Sequence, residues 1–428
     1  MPPAMPSLSP AGGITAARRR SSPPTRSRGG RPGPSLDRRQ TKRILPIEFE
    51  GIATVGLSLV ASLGVCAATP IEPGDRAEAD LGAAPPFKIS AWTVTTAVRT
   101  GGGYKDNVLL GTYLPQPSAF ASAGLDLFVM RLPWDGTEVS FMLTGDDRHY
   151  FSVSAANEEA TVLAEAQIRH TYASGWVLGA SAQYFFINQV FDTSASEAEV
   201  GVVLARGESV GLRPTLSRSL GQSTWLDLEI PGTRQWLDQP LDSYWEVGPR
   251  LRLRHEYKAG AEVYASYAAN ERPYDTREQA SPSGIALPGT HLQFGWQQLE
   301  TGWKHYWDRS RQWRSVTRGG FEVNQDNGTG YYDYRKYFVS EQLRFRSGHW
   351  ELQAQGGVNY YRYPLQAVSI VDPTTREKTL VNASARVACS VARRLKVVAE
   401  YEYEQSLSNE KSDAYRVTTA QAGLEWEF

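Results

Sequence analysis

Along the last eleven residues of the chain, Thr418–Phe428, apolar and polar side chains alternate without a break. Ala420, Ala422, Leu424, Trp426 and Phe428 share one parity, and Thr419, Gln421, Gly423, Glu425 and Glu427 share the other. A period of two is that of a β-strand whose faces meet different surroundings. The pattern recurs from Phe87 onward. "HWELQAQGGVNYY" sets Trp350, Leu352, Ala354, Val358 and Tyr360 against Glu351, Gln353, Gln355 and Asn359. "RRLKVVAEYEYE" sets Leu395, Val397, Ala399, Tyr401 and Tyr403 against Lys396, Glu400, Glu402 and Glu404. "EVGPRLRLRHEY" sets Leu251, Leu253 and Tyr257 against Arg250, Arg252 and Arg254.

Such runs predict strands over 87–99, 119–131, 136–151, 159–172, 175–190, 206–219, 223–236 and 244–257. They continue over 260–272, 289–307, 311–325, 334–347, 349–363, 376–390, 393–407 and 414–428. That is about sixteen segments, an even number, each long enough to cross a bilayer at a tilt. The connections alternate short and long. "LPWDG", "ASG", "SLGQS", "YKAG", "DRSRQ", "SGH" and "SVARR" are short, and the loops between them, such as 190–206 and 272–289, are long. Short turns on one rim and long loops on the other are the plan of a transmembrane antiparallel up-and-down β-barrel. A soluble sandwich has no reason to keep that rhythm. Trp134, Trp176, Trp225, Trp313 and Trp350 each lie in or just after a short turn, which predicts an aromatic girdle at one membrane interface.

The closing "QAGLEWEF" resembles the C-terminal strand of bacterial outer-membrane β-barrels. The resemblance covers 87–428 in plan but is specific only over that last strand. It implies that Leu424, Trp426 and Phe428 form the signal read by the barrel-assembly machinery, and that lipid of the outer membrane surrounds the barrel. "GYKDNV", Gly103–Val108, resembles openings of uncharacterised barrels of this kind.

Composition changes the picture mainly at the N-terminus. Residues 1–43 hold nine Arg and Lys42 against Asp37 alone, leaving 35 basic and 45 acidic residues for the rest of the chain. The segment is almost free of apolar residues and is expected to be disordered. Such a basic arm suits an anionic partner, but the neighbouring residues point to export and not to nucleic acid. "GIATVGLSLVASLGV", Gly51–Val65, is an uncharged run ending at Cys66, Ala67 and Ala68, the pattern of a secretory signal cut after Ala67 or Ala68. Glu48 and Glu50 are unusual so close to such a run. The expected organisation is a leader and signal over 1–68, a short acidic periplasmic linker over 69–86, and the barrel over 87–428. The two cysteines, Cys66 and Cys389, supply neither a disulfide framework nor a zinc site.

A barrel of this width encloses water. The interior parity carries Arg250, Arg252, Arg254, Arg314, Arg318 and Arg344 on strands eight to twelve, and Glu400, Glu402, Glu404 and Glu425 on the last two. Ring closure sets these groups on opposite walls, as in general diffusion porins, which the chain resembles in strand number. The expected function is passive diffusion of ions or small polar solutes. A barrel helping to export surface lipoprotein or polysaccharide is the alternative. A rim hydrolase is a further one, because "GDDRHYF" offers Asp146, Asp147 and His149. No phosphate loop, nucleotide fingerprint, zinc motif or nucleophile elbow occurs, so no cofactor and no metal is expected. Three features fit the plan badly: Pro214 in mid-strand, Glu341 on the lipid parity, and a phase change between Trp296 and Leu299 that predicts a bulge.

Overall fold

The computed structural model describes residues 91–258, 260–369 and 372–428. The expected leader, signal and linker lie outside the described residues, as does the expected strand start at 87. The described chain is a closed barrel of antiparallel strands. Its first six are β1 (Trp92–Lys105), β2 (Ser118–Trp134), β3 (Thr137–Tyr150), β4 (Glu158–Thr171), β5 (Trp176–Asp192) and β6 (Val202–Ser219). The seventh span is broken into β7 (Thr224–Glu229) and β8 (Gly232–Leu237), and the eighth into β9 (Tyr244–Val247) and β10 (Arg250–Lys258). There follow β11 (Ala261–Pro273), β12 (Gln293–Tyr306), β13 (Trp313–Asp326), β14 (Tyr334–Ser347), β15 (Trp350–Ala367), β16 (Thr375–Ala392), β17 (Leu395–Ser408) and β18 (Tyr415–Glu427). Pairing of β1 with β18 closes the ring at sixteen spans.

Side-chain parity follows from the register. At the closing strand Leu424 and Trp426 are exposed on the outer wall, while Glu425 is buried inside. Their partners Thr100 and Val98 point the same way as they do, because directly opposed residues share a face. The barrel closes tightly at this point. Gly101 faces Gly423, and a Cβ on either would lie within 2.5 Å of a backbone carbonyl. The chain end is tied in as well, with the Phe428 amide donating to the Thr96 carbonyl at 2.8 Å.

The misfits resolve in three ways. Pro214 pairs with Ala180 and stands opposite the break between β7 and β8, where its carbonyl accepts from the Ile230 amide at 3.1 Å. Pro231 and Pro249 cause the two breaks, since neither can donate to the ladder. Register nevertheless runs through both, and the Pro231 carbonyl accepts from Gly248 at 3.2 Å. Glu341 does lie on the outer wall, where its carboxylate accepts a 2.5 Å hydrogen bond from Thr317. The predicted bulge is corrected: β12 pairs with β13 in one register from Phe294 to Tyr306. Leu299 is exposed on the outer wall, whereas Trp296 and Phe294 point inward and are buried. The interior is aromatic at that level, so apolar character there does not mark the lipid face. The first strand is corrected too. It runs on to Lys105, so "GYKDNV" begins inside β1 and not in a loop.

Candidate functional site: the barrel interior and its inward loop

The interior differs between its two ends. Towards the long-loop rim it is filled. Tyr244, Tyr274, Phe294, Tyr334, Tyr361 and Tyr363, inward on strands from one side or in the loop beside them, form a buried cluster. Phe120, Tyr150, Leu380, Tyr415 and Val417 form a second cluster with Val108 of the first long loop and Val153 of the second.

Packed into the first cluster through Ala195 and Ala198 is the third long loop, 193–201, which we call L3. It folds into the barrel, with Ser194 and Ala198 at 0% exposure. Asp192 caps its single 3-10 turn, Thr193–Ala195, by accepting from the Ser194 amide. The loop leaves from β5 and β6 yet is held by strands far round the ring. Tyr363 of β15 donates to the Ser194 carbonyl at 2.6 Å and Gln366 to the Ala198 carbonyl at 2.5 Å. Arg272 of β11 reaches the Ser196 carbonyl at 3.3 Å. Arg277 forms ion pairs with Glu197 at 2.6 Å and Glu199 at 2.8 Å.

The strongest tie is made at Lys378 of β16, a residue 1% exposed. Its ammonium meets Asp192 at 2.5 Å and Asp413 at 2.8 Å, and it also donates to the Ser194 hydroxyl. Arg376 completes the neutralisation of Asp413 at 2.5 Å. A buried cation with two carboxylates, one of which is shared with a guanidinium, is a paired network of the kind that makes burial of charge tolerable. Outside the spans, burial pushes the Tyr332 phenol up to about 12. Tyr274 is held well above the usual phenol range, by burial first and then by the Glu197 carboxylate, to which it donates at 2.7 Å. Both phenols therefore stay protonated donors at neutral pH.

Beneath L3 lies a chamber of about 210 Å³, lined by Arg99, Asp146, Arg148, Asp192, Glu400 and Glu402 among others. A smaller cavity of about 70 Å³ shares Arg99, Asp146, Arg148 and Glu400 and extends along the Gly101–Gly423 closure. The charges are paired: Arg99 with Asp146 at 3.0 Å and Asp126 at 3.2 Å, and Arg148 with Glu402 at 3.4 Å.

The predicted interior residues all lie on the inward parity, but they carry more counter-charge than an opposition of bare walls requires. Glu400 meets Arg386 at 2.8 Å, and Glu425 meets Arg386 at 2.5 Å and Lys396 at 3.2 Å. Glu404 accepts from the Tyr415 hydroxyl at 2.5 Å. On the other wall Arg250 pairs with Glu229 at 3.9 Å, Arg254 with Asp227 at 3.5 Å, and Arg344 with Glu351 at 3.0 Å. Arg252 lies over the Tyr264 ring at 4.9 Å. Among the described residues, no carboxylate pairs with Arg252, Arg314 or Arg318 within ion-pair distance. Local pairing thus shrinks the expected transverse field and leaves its remainder on the basic side.

Of the predicted girdle, Trp176, Trp313 and Trp350 are exposed on the outer wall near the short turns, as are Trp134 and Trp307. Trp225 is a correction. It pairs with Arg254, points inward and lies 5.0 Å from that guanidinium. Its parity is that of Asp227 and Glu229, while Leu226 and Leu228 take the lipid side. The hydrolase cluster is also divided. Asp146 and Arg148 point inward, whereas the register turns Asp147 and His149 to the outer wall, opposite Ala160 and Glu158. A single water cannot be held by groups on two sides of a sheet.

Sequence reasoning did not find the inward fold of L3. Its only signal was indirect: Phe294, Tyr334, Tyr361, Tyr363 and Tyr415 fall on the interior parity near long loops, where large rings need cover.

No family model matches the chain, and no curated protein matches it. Among solved structures, OccAB1 of Acinetobacter baumannii is similar at 8% identity, covering 79% of this chain and 97% of its own, with a TM-score of 0.44. An anion-selective porin from Comamonas acidovorans is similar at 9% identity, covering 79% and 99%, with a TM-score of 0.40. A bacterial polysaccharide outer membrane secretin is similar at 10% identity, covering 78% and 97%, with a TM-score of 0.39.

Proposed function

We propose that the chain is a porin-like channel of the bacterial outer membrane, through which ions or small polar solutes diffuse passively. The interior carries this reading. The chamber beneath the inward loop is lined by charged and amide side chains together with apolar ones such as Val190, Leu380 and Val417, a surface that water and polar solutes can occupy. The outer wall supports the membrane placement, with Leu125, Leu178, Leu253, Leu299, Val339 and Leu424 exposed on it and tryptophans at the short-turn rim. Those turns then face the periplasm and the long loops face the outside. L3 narrows the outer mouth, and its buried ion pairs hold it there. Export through the inner membrane by a signal removed near Ala67 or Ala68 belongs to the same reading.

Planar bilayers test it. Reconstituted protein is expected to conduct in discrete steps, with an ion selectivity that weakens as salt rises, because screening lengths fall from about 10 Å at 0.1 M to about 3 Å at 1 M. Protein that is folded by heat-modifiable migration but passes no current would refute the channel reading.

A further inference from the structure

Arg314 opens β13 just inside the short-turn rim and is 7% exposed. Neither its Nε nor its Nη2 meets a hydrogen-bond acceptor among the described residues, although both are shut off from solvent. Its cross-strand partner on β14 is another cation, Arg344. Like charges directly opposed on one sheet face destabilise the pair. Arg344 and Arg346 draw on a single carboxylate, Glu351, at 3.0 and 3.1 Å. Arg318 stands further along the same inward face, exposed, and no carboxylate among the described residues pairs with it. Arg314 thus opposes one of the two guanidiniums that share Glu351 at the inner mouth, and Arg318 adds a further positive charge along the same wall.

We infer that this cluster binds a dianionic oxyanion, the phosphate group of a phosphorylated solute or inorganic phosphate itself. The inference rests on the channel reading and names its solute class. The charge of Arg314 is spread over the whole guanidinium and is not neutralised on its buried side. It therefore adds to the potential of Arg344 and Arg318, in a wall of low dielectric. The forks of Arg344 and Arg346 match the oxygens of phosphate in pairs, and a double negative charge fits the excess of about two positive ones around Glu351 better than a monoanion does. Bound anion also removes the repulsion between Arg314 and Arg344, so occupancy stabilises the barrel.

Isothermal titration of detergent-solubilised full-length protein at pH 8 with inorganic phosphate, at constant ionic strength against chloride, tests binding without requiring conduction. Saturable phosphate binding is expected, with chloride giving no saturable heat. Arg318→Gln, an exposed change that leaves folding intact, should weaken phosphate binding several-fold, and Arg314→Gln tenfold or more. Arg314→Lys should restore most of it, because Arg314 acts through its charge and its buried nitrogens do not reach the anion. Equal heats for phosphate and chloride, or unchanged affinity in Arg318→Gln, would overturn the site. Phosphate binding by a protein that passes no current would leave the site standing and refute the channel. Current with no phosphate binding would do the reverse. A phosphorylated sugar in place of inorganic phosphate separates the two sources: tighter binding of the ester assigns the site to a solute, and equal binding assigns it to the free ion.

Discussion

Replacing Lys378 by Met should release L3 from the interior. Among the described residues, its ammonium is the one cation that touches both Asp192, at the root of the loop, and Asp413, at 2.5 and 2.8 Å. Asp413 is 2% exposed and Asp192 6%, so neither carboxylate can turn to water while the loop stays in. Breaking a buried pair by removing one partner costs about 3–5 kcal/mol. Arg376 still neutralises part of Asp413, so the lower end of that range applies. About 3 kcal/mol shifts the balance between loop-in and loop-out states by a factor of roughly 10². Hydrogen exchange of the amides from Ser194 to Ala198 reads this directly, with strand amides of β16 and β17 as internal control. Protection of the loop should fall by about two orders of magnitude while the strands are unchanged, and single-channel conductance should rise. Pairing the change with Asp192→Asn removes one stranded charge and should recover part of the protection. Undiminished exchange protection together with unaltered conductance would refute the account of L3 as held by charge.

Deleting Phe428 should leave most of the protein unassembled, seen as loss of the heat-modifiable band in outer-membrane fractions, since the residue closes the ring onto Thr96 and carries the terminal aromatic. Brominated lipid should quench the fluorescence of a variant retaining only Trp176 and leave one retaining only Trp225 largely unquenched, because the first faces lipid and the second faces Arg254.

Much of the barrel was legible in the sequence because lipid and water impose opposite demands on alternate residues, and two-beat connections give the count. Strand boundaries from β2 to β18 fall close to those read from parity for the same reason. Legibility failed where the interior is not wet. Trp296 and Leu299 read as a bulge because both are apolar, although one faces an aromatic core and the other faces lipid. Trp225 read as an interface residue because of its place after a turn, yet parity with Asp227 and Glu229 already set it inward. Parity could place Arg386 and Lys396 on the inward face beside the glutamates, but not the ion pairs they form with Glu400, Glu425 and Glu427. L3 was beyond reach, since its ties run from β5 and β6 to residues on β11, β15 and β16, contacts that no local pattern encodes.

The three prolines Pro214, Pro231 and Pro249 sit on neighbouring spans at one level, and each leaves its strand short of a donor where a ladder bond would form. A cylinder weakened along one line does not deform evenly. It yields first where ladder bonds are missing, and here they are missing at one level of three adjoining spans. The wall there bears Arg250, Arg252 and Arg254, immediately beyond Pro249. The basic stripe of the interior is therefore carried by the part of the wall that has the fewest ladder bonds to hold its backbone in place.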